Sequence, residues 1–243
     1  MLQGILNVSV KMRTTQALIT VGGGGSRLKR AGINVPLSKS FIIINRRPIF
    51  YWCLSALWKA GIKKLVIIAE DKQKIRKAQE VLASFPHKFL EIKFFKDRGL
   101  GFSGLPYQAR KLLDKTFFFD CGHSISEPAH YKKIDKIKGR TNIVFSAFSA
   151  TGYAPRTIIK MISGKVCITE KFSVGKRLFE VCTPALLDGE YVKLLPRFKF
   201  SLLEILKFYA NNNKLKLVQS RLPIEMDVRK EYKRTIPIYK RIT

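Results

Sequence analysis

Residues 22–28 read GGGGSRL: four consecutive glycines, then Ser26, Arg27 and Leu28, directly after the apolar run QALITV at 16–21. Each glycine inside a helix or strand costs on the order of 0.5–1 kcal/mol relative to alanine, so four in a row need a use. Glycines let backbone N–H groups approach and encircle an anion, and they supply the positive φ angles that such a curve requires. Arg27 adds a rigid fork of donors matched to phosphate oxygens. A plain tight turn needs one or two glycines. Gly22, Gly23, Gly24, Gly25 and Ser26, followed by Arg27, point instead to a phosphate-binding loop. No Gly-Lys-Ser/Thr ends it, so it is not a P-loop, and it lacks the spacing and distant acid of a dinucleotide fingerprint.

Such a loop needs a buried strand before it and a helical region after it, and the chain supplies both. QALITV reads as a strand, and Ile49, Cys53, Leu54, Leu57 and Ala60 fall at helical spacing up to Gly61. Further strands are expected at 64–70, 89–95, 116–120, 142–148 and 214–220, with a helix carrying Ile75, Ala78, Val81 and Leu82, another running through Leu112 and a third near 128–138. A second glycine-rich loop, GLGFSG, occupies 99–104. From about 155 the alternation suggests antiparallel strands, then helices at 184–195 and 200–212. The stretch RKEYKRTIPIYKRIT reads as an amphipathic or frayed end. Repeated strand–helix–strand order predicts an α/β fold: a Rossmann-like, three-layer α/β/α arrangement around a mixed, mostly parallel sheet. With no repeat, low-complexity tract or linker, one domain is expected over 1–243, with 1–12 as a loose extension.

The net charge is +29, from 46 Lys and Arg against 17 Asp and Glu. That excess implies an anionic partner, whether nucleotide phosphates, nucleic acid or an acidic membrane surface, or else a general lysine bias. Beyond charge, nothing matches a nucleic-acid recognition motif, so no such partner is expected. No apolar run is long enough to span a bilayer, and the first residues do not read as a signal peptide. Cys53, Cys121, Cys167 and Cys182 have no CxxC spacing and no His cluster. They predict a reducing, cytoplasmic setting rather than a zinc site.

The loop also resembles a family signature. GGGGSRL is similar to the G-G-x-G-[ST]-R-L motif of the nucleotidyltransferase superfamily, which holds the sugar-phosphate nucleotidylyltransferases and their cytidylyltransferase relatives. SKSFIIINRRPI (38–49) matches in register the P-K-x-L-x-x-x-x-x-K-P segment that follows it, through Lys39, Arg47 and Pro48, with Ser38 in place of the first proline. GLGFSGL (99–105) resembles the loop that contacts the nucleobase, which brings in Gly101 and Ser103. Lys96, Asp97 and Arg98 stand where relatives place base-reading residues without naming a base.

The resemblance implies transfer of a nucleotidyl group from a nucleoside triphosphate to a sugar or alditol phosphate, with release of pyrophosphate. Arg27 would hold the triphosphate and Lys39 the α-phosphate as it becomes crowded, with Mg2+ bound by carboxylates. The first metal carboxylate depends on register. Aligned on Gly122, the position is His123; aligned on the cytidylyltransferase version of the motif, it is Asp120, the preferred reading. PIEMDVRKEYKR (223–234) resembles the element that supplies the second carboxylate, with Asp227 first and Glu225 next. VCTPALL (181–187) resembles a segment of the methylerythritol-phosphate cytidylyltransferases, so the branch stays open. A family member that binds nucleotide or phosphosugar without turnover is the alternative, and a homo-oligomer is compatible with either.

Overall fold

The computed structural model describes residues 12–137, 143–149, 158–162, 165–169, 178–220 and 229–243. Strand β1 (Gln16–Thr20) leads through the glycine loop to α1 (Ser26–Arg30), a hairpin of β2 (Ile43–Ile44) and β3 (Arg47–Pro48), and helix α2 (Ile49–Ala60). Then come β4 (Lys64–Ala69), α3 (Lys72–Ala83), β5 (Glu91–Lys96), α4 (Leu105–Gln108), β6 (Thr116–Cys121) and α5 (Pro128–Ile137). Next are β7 (Ile143–Ser149), β8 (Ile158–Ile162), β9 (Lys165–Thr169), β10 (Leu178–Asp188) and α6 (Gly189–Leu194). The last are α7 (Leu202–Asn211), β11 (Leu215–Gln219) and α8 (Arg229–Ile242).

The main sheet runs β11-β7-β10-β6-β1-β4-β5, with β8 and β9 attached beyond β10. Neighbours are parallel except at β10, which runs antiparallel to both β6 and β7. Because side chains alternate faces along a strand, each buried strand feeds two cores. Ala17, Ile19, Leu65, Ile67 and Phe118 pack on the side of α2, α3 and α5. Leu18, Val66, Ile68, Phe117 and Phe119 pack on the side of α4, α6 and α7. These are the three layers expected from the alternating pattern. A third cluster joins Leu28 of α1, Ile44 of the hairpin, Ile49 and Cys53 of α2, and Tyr239 of α8.

One expectation is corrected. Residues 184–188 are strand, not helix. Leu186 faces one core while Ala185 and Leu187 face the other, and the segment pairs with Phe117–Phe119 of β6. A run buried on both sides reads alike in either periodicity. The helix starts only at Gly189, where Asp188 caps it by accepting the Tyr191 N–H at 3.0 Å. Of the two readings of the basic stretch from 229, amphipathic or frayed, the amphipathic one holds. The stretch is a 14-residue helix whose Glu231, Thr235 and Tyr239 are buried.

Side chains on α5 tie distant elements to it. Asp135 accepts the backbone N–H groups of Arg13 and Thr14 at 2.7 and 3.1 Å, which fixes the approach to β1. His130 bonds through Nε2 to Ser146 Oγ at 2.8 Å, and Ser146 donates in turn to the Pro184 carbonyl at 2.6 Å. Burial, with help from the Lys133 charge, pushes the His130 pKa down from 6.5 to about 4. Between those values the unfolded chain binds a proton that the folded chain refuses, so stability falls as pH drops through the window. The loss approaches about 3 kcal/mol at its lower end. Urea unfolding between pH 7 and pH 4 is therefore expected to show a steeper pH slope for the wild type than for His130→Asn.

Candidate active site

Strands β1, β4 and β6 run parallel, so their C-terminal ends meet at one edge, where open α/β sheets place ligands. The Gly122 N–H donates to the Thr20 carbonyl at 2.8 Å and the Val21 N–H to the Ile68 carbonyl at 3.0 Å, which zips these ends together. Beyond them opens a cleft of about 500 Å³. Its floor is Thr20, Gly22, Gly23, Cys121 and His123, with Lys39 and Glu70 on its walls. Gly101, Phe102, Leu105 and Leu202 close the side of α4 and α7. A hollow of about 190 Å³ adjoins it, bounded by Gly23, Gly24, Gly25, Ser26, Arg27 and Lys39. Gly23 and Lys39 border both.

The loop curves as its composition predicts, with φ of +81° at Gly23 and +63° at Gly25. A Cβ on Gly25 would lie 2.9 Å from Val35 Cγ1 and 3.4 Å from Lys39 Cγ, so the Lys39 side chain runs close beneath the loop. The Lys39 N–H reaches the Gly23 carbonyl at 3.4 Å, and the residue is 7 % exposed. Two loop amides already serve the protein. Gly22 donates to Thr20 Oγ1 at 3.2 Å and Gly23 to Glu70 Oε1 at 3.0 Å. The loop then leads into α1, whose N-cap is Gly25 and whose first N–H groups have no partner within the helix. Arg27 stands exposed beside them.

Glu70 is the residue that motif reading missed. It closes the run LVIIAE at the end of β4, and it is the first acid in the chain. Hydrogen bonding from Lys74, and then from the Gly23 amide, holds its carboxyl below the usual carboxylate range. An acid closing a buried parallel strand was the available signal. Asp97, also on the cleft wall, shapes the second glycine loop: its Oδ1 accepts the Gly99 N–H and Gln108 Nε2, both at 2.8 Å. Gly101 reaches the cleft with φ of +72°. Ser103 does not. Its hydroxyl donates to the Phe200 carbonyl at 2.6 Å, anchoring the loop to the segment before α7.

Asp120 is placed away from the cleft. It shares the strand face of Phe118, so its carboxylate lies on the α5 side and is 1 % exposed. Oδ2 accepts the Tyr131 hydroxyl and Oδ1 accepts the Cys121 N–H at 2.7 Å. Burial and the Asp120 charge push the Tyr131 hydroxyl and the Cys53 thiol up in pKa. The residues that β6 and its following turn present to the cleft are Cys121 and His123, the second being the position that alignment on Gly122 selects. A side chain on Gly122 would press on the Thr20 carbonyl at 3.0 Å and on Phe50 at 3.2 Å. Asp120 as placed does not fit a magnesium ligand in this cleft. Among the described residues no group of three His, Cys, Asp or Glu side chains could hold a metal ion. Glu225 and Asp227 lie outside the described residues.

A mostly parallel sheet with this crossover order, helices on both faces and a glycine loop after β1 is the fold of the nucleotide-diphospho-sugar transferases. Comparison with known proteins agrees. A glucose-1-phosphate thymidylyltransferase, so described, of Bacillus anthracis superposes with a TM-score of 0.76 at 15 % identity, over 94 % of this chain and 96 % of that one. The inositol-1-phosphate CTP transferase of T. maritima gives 0.69 at 15 % identity, over 93 % and 96 %. The UTP-bound UGPase of Acinetobacter baumannii gives 0.70 at 13 %, over 93 % of each chain. Among curated proteins, the 2-C-methyl-D-erythritol 4-phosphate cytidylyltransferase of Clostridium kluyveri is 28 % identical over 179 residues, 73 % of either chain. No protein-family model matches. The resemblance read from the motifs is thus borne out by fold and by a curated relative. No helix among the described residues is long and apolar enough to cross a membrane.

The two central glycines of the loop should behave differently. A non-glycine residue at the left-handed φ of Gly25 costs roughly 1–2 kcal/mol before any clash with Val35. A Cβ on Gly24 would meet no heavy atom within 4 Å, and the φ there is not positive. Urea titration is expected to show Gly25→Ala destabilised by about 2 kcal/mol and Gly24→Ala changed by less than about 0.5 kcal/mol.

Proposed function

We propose that this cleft transfers a nucleotidyl group from a nucleoside triphosphate to a sugar or alditol phosphate and releases pyrophosphate. The observation that carries the reading is Lys39, nearly buried beneath the glycine loop at the junction of the two hollows. A cation held there meets a triphosphate whose β- and γ-phosphates lie along Gly24–Arg27, while the nucleoside occupies the larger cleft beside Gly101 and Phe102. An oxygen of the acceptor phosphate attacks the α-phosphorus. The bond to the bridging oxygen breaks, and its electron pair leaves with pyrophosphate. No covalent intermediate on the protein is needed. The protein aligns two mutually repelling anions and neutralises charge on the α-phosphate and the leaving group. Lys39 and Arg27 supply that charge from this chain. Enzymes of this kind pair such cations with Mg2+, but Asp120, committed to Tyr131 and the Cys121 amide, does not offer its carboxylate to a metal in the cleft.

The same commitment favours a second reading, in which the cleft binds a nucleotide or phosphosugar without turnover. A panel of the four triphosphates with magnesium and a set of sugar and alditol phosphates separates the two through pyrophosphate release. Release is expected with at least one pair. Lys39→Ala should reduce it about 100-fold, the usual loss for one preorganised charge donor. Nucleotide binding with no release from any pair establishes the second reading instead. In either case Asp120→Asn should lower stability by about 1–3 kcal/mol through its buried hydrogen bonds, and leave nucleotide affinity within about threefold, as measured by calorimetry.

A further inference from the structure

The transfer site accounts for few of the 46 basic residues. We propose that the face built by α8 and the β2–β3 hairpin docks on an anionic phospholipid membrane surface. At 100° per residue, Arg229, Lys230, Lys233, Arg234, Lys240 and Arg241 fall within an arc of about 140°. All six are exposed. The opposite stripe, Glu231, Thr235 and Tyr239, is buried against the protein. Between 229 and 243 Glu231 is the only acid, and it faces inward, so the outer surface carries one sign.

The hairpin extends that surface. The Asn45 side-chain amide donates to the Lys240 carbonyl at 2.8 Å and to Thr243 Oγ1 at 2.9 Å, locking the hairpin tip to the end of the helix. The Tyr239 hydroxyl accepts the Ile125 N–H at 3.0 Å and seats the helix on the body. Arg46 and Arg47 are exposed on the same hairpin. Ile43 and Ile242 are exposed too, at 60 % and 44 %.

The exposed Ile43 and Ile242, at the hairpin and the helix end that Asn45 ties together, flank this basic face and favour a lipid surface among anionic partners. A lipid surface offers phosphate headgroups to the cations and a shallow apolar layer to the aliphatic tips. Single-stranded nucleic acid uses aromatic platforms for stacking, whereas Tyr232 and Tyr239, the aromatics of α8, lie on its inward side, half-buried and fully buried, away from the exposed cations. A free nucleotide is too small to engage a helix face about 20 Å long.

The test is sedimentation of the whole protein with large vesicles of phosphatidylcholine, alone or with about 30 mol% phosphatidylserine. Co-sedimentation is expected only with phosphatidylserine present, and should be lost as salt rises from about 0.05 to 0.5 M. Combined Arg234→Glu, Lys240→Glu and Arg241→Glu should lower partitioning by about tenfold or more. Ile43→Ser with Ile242→Ser should lower it several-fold and leave binding to poly(U) RNA unchanged. Should the helix variant melt at a lower temperature, Arg46→Glu on the hairpin gives the same readout without touching α8. Absence of binding, or equal binding to both vesicles, overturns the proposal. Tighter binding to poly(U) that ignores the isoleucine changes reassigns the face to nucleic acid.

Discussion

The pairing of the ends of β1 and β6 is the constraint on which the site depends. The Gly122 N–H bonds the Thr20 carbonyl one residue past the last regular ladder position, bringing the glycine loop and the turn after β6 side by side. The contact tolerates little more than hydrogen at position 122, because a methyl group would meet backbone oxygen on one side and Phe50 on the other. Once the register is locked, alternation along the strand assigns every side chain. Phe118 and Asp120 go beneath the sheet, Phe119 and Cys121 above it, and His123 reaches the cleft. A slip by one residue would exchange these sets and push a carboxylate into the face lined by Phe102.

The chain therefore offers different chemistry on the two sides of one strand end. Beneath the sheet, Asp120 is desolvated and keeps two hydrogen-bond donors, which is what a buried carboxylate needs to avoid a large penalty. Above it, the cleft gathers Lys39, Glu70 and His123 beside a loop curved by the positive φ of Gly23 and Gly25. Glu70 gives this arrangement its order: by taking the Gly23 amide it fixes the first half of the loop. Lys74, itself almost buried, pins Glu70 from the other side. An acid at the rim of a phosphate loop opposes anion binding through its charge and favours it through preorganisation. The lysine partner moderates the first effect without giving up the second.

Much of this is legible in the residues. The glycine run, the apolar strands and the helical spacing after position 49 lead to the right layers. The loop from Gly23 to Arg27 forms a hollow together with Lys39, which only the motif spacing singles out. Face assignment is harder, because a motif register fixes which residue aligns, not which way it points. Asp120 and His123 are three positions apart, and local pairing between strands far apart in sequence decides which of them enters the cleft. Ser103 misleads for a related reason: its hydroxyl is claimed by Phe200, a partner 97 residues away. The strand at 184–188 passes for helix because a segment buried on both faces loses the alternation that marks a strand. Glu70 ends a strand in plain view, yet nothing in the residue pattern assigns it a role.

The excess charge sits in two physically different settings. Lys39 is nearly sealed beneath backbone, where water screens poorly and one cation exerts a strong directional pull on a bound anion. The cations of α8 stand in water, where each acts weakly, salt screens them, and effect comes only from number and alignment. Helix geometry provides that alignment: burying Glu231, Thr235 and Tyr239 forces the remaining positions outward as one stripe. The hydrophobic seat of α8 on the hairpin and α2 thus produces the charged face without any attraction among the charges themselves. A sequence count of +29 cannot separate a single deep cation from a broad solvated stripe. The fold separates them by burying one lysine at the cleft and none of the six on the helix.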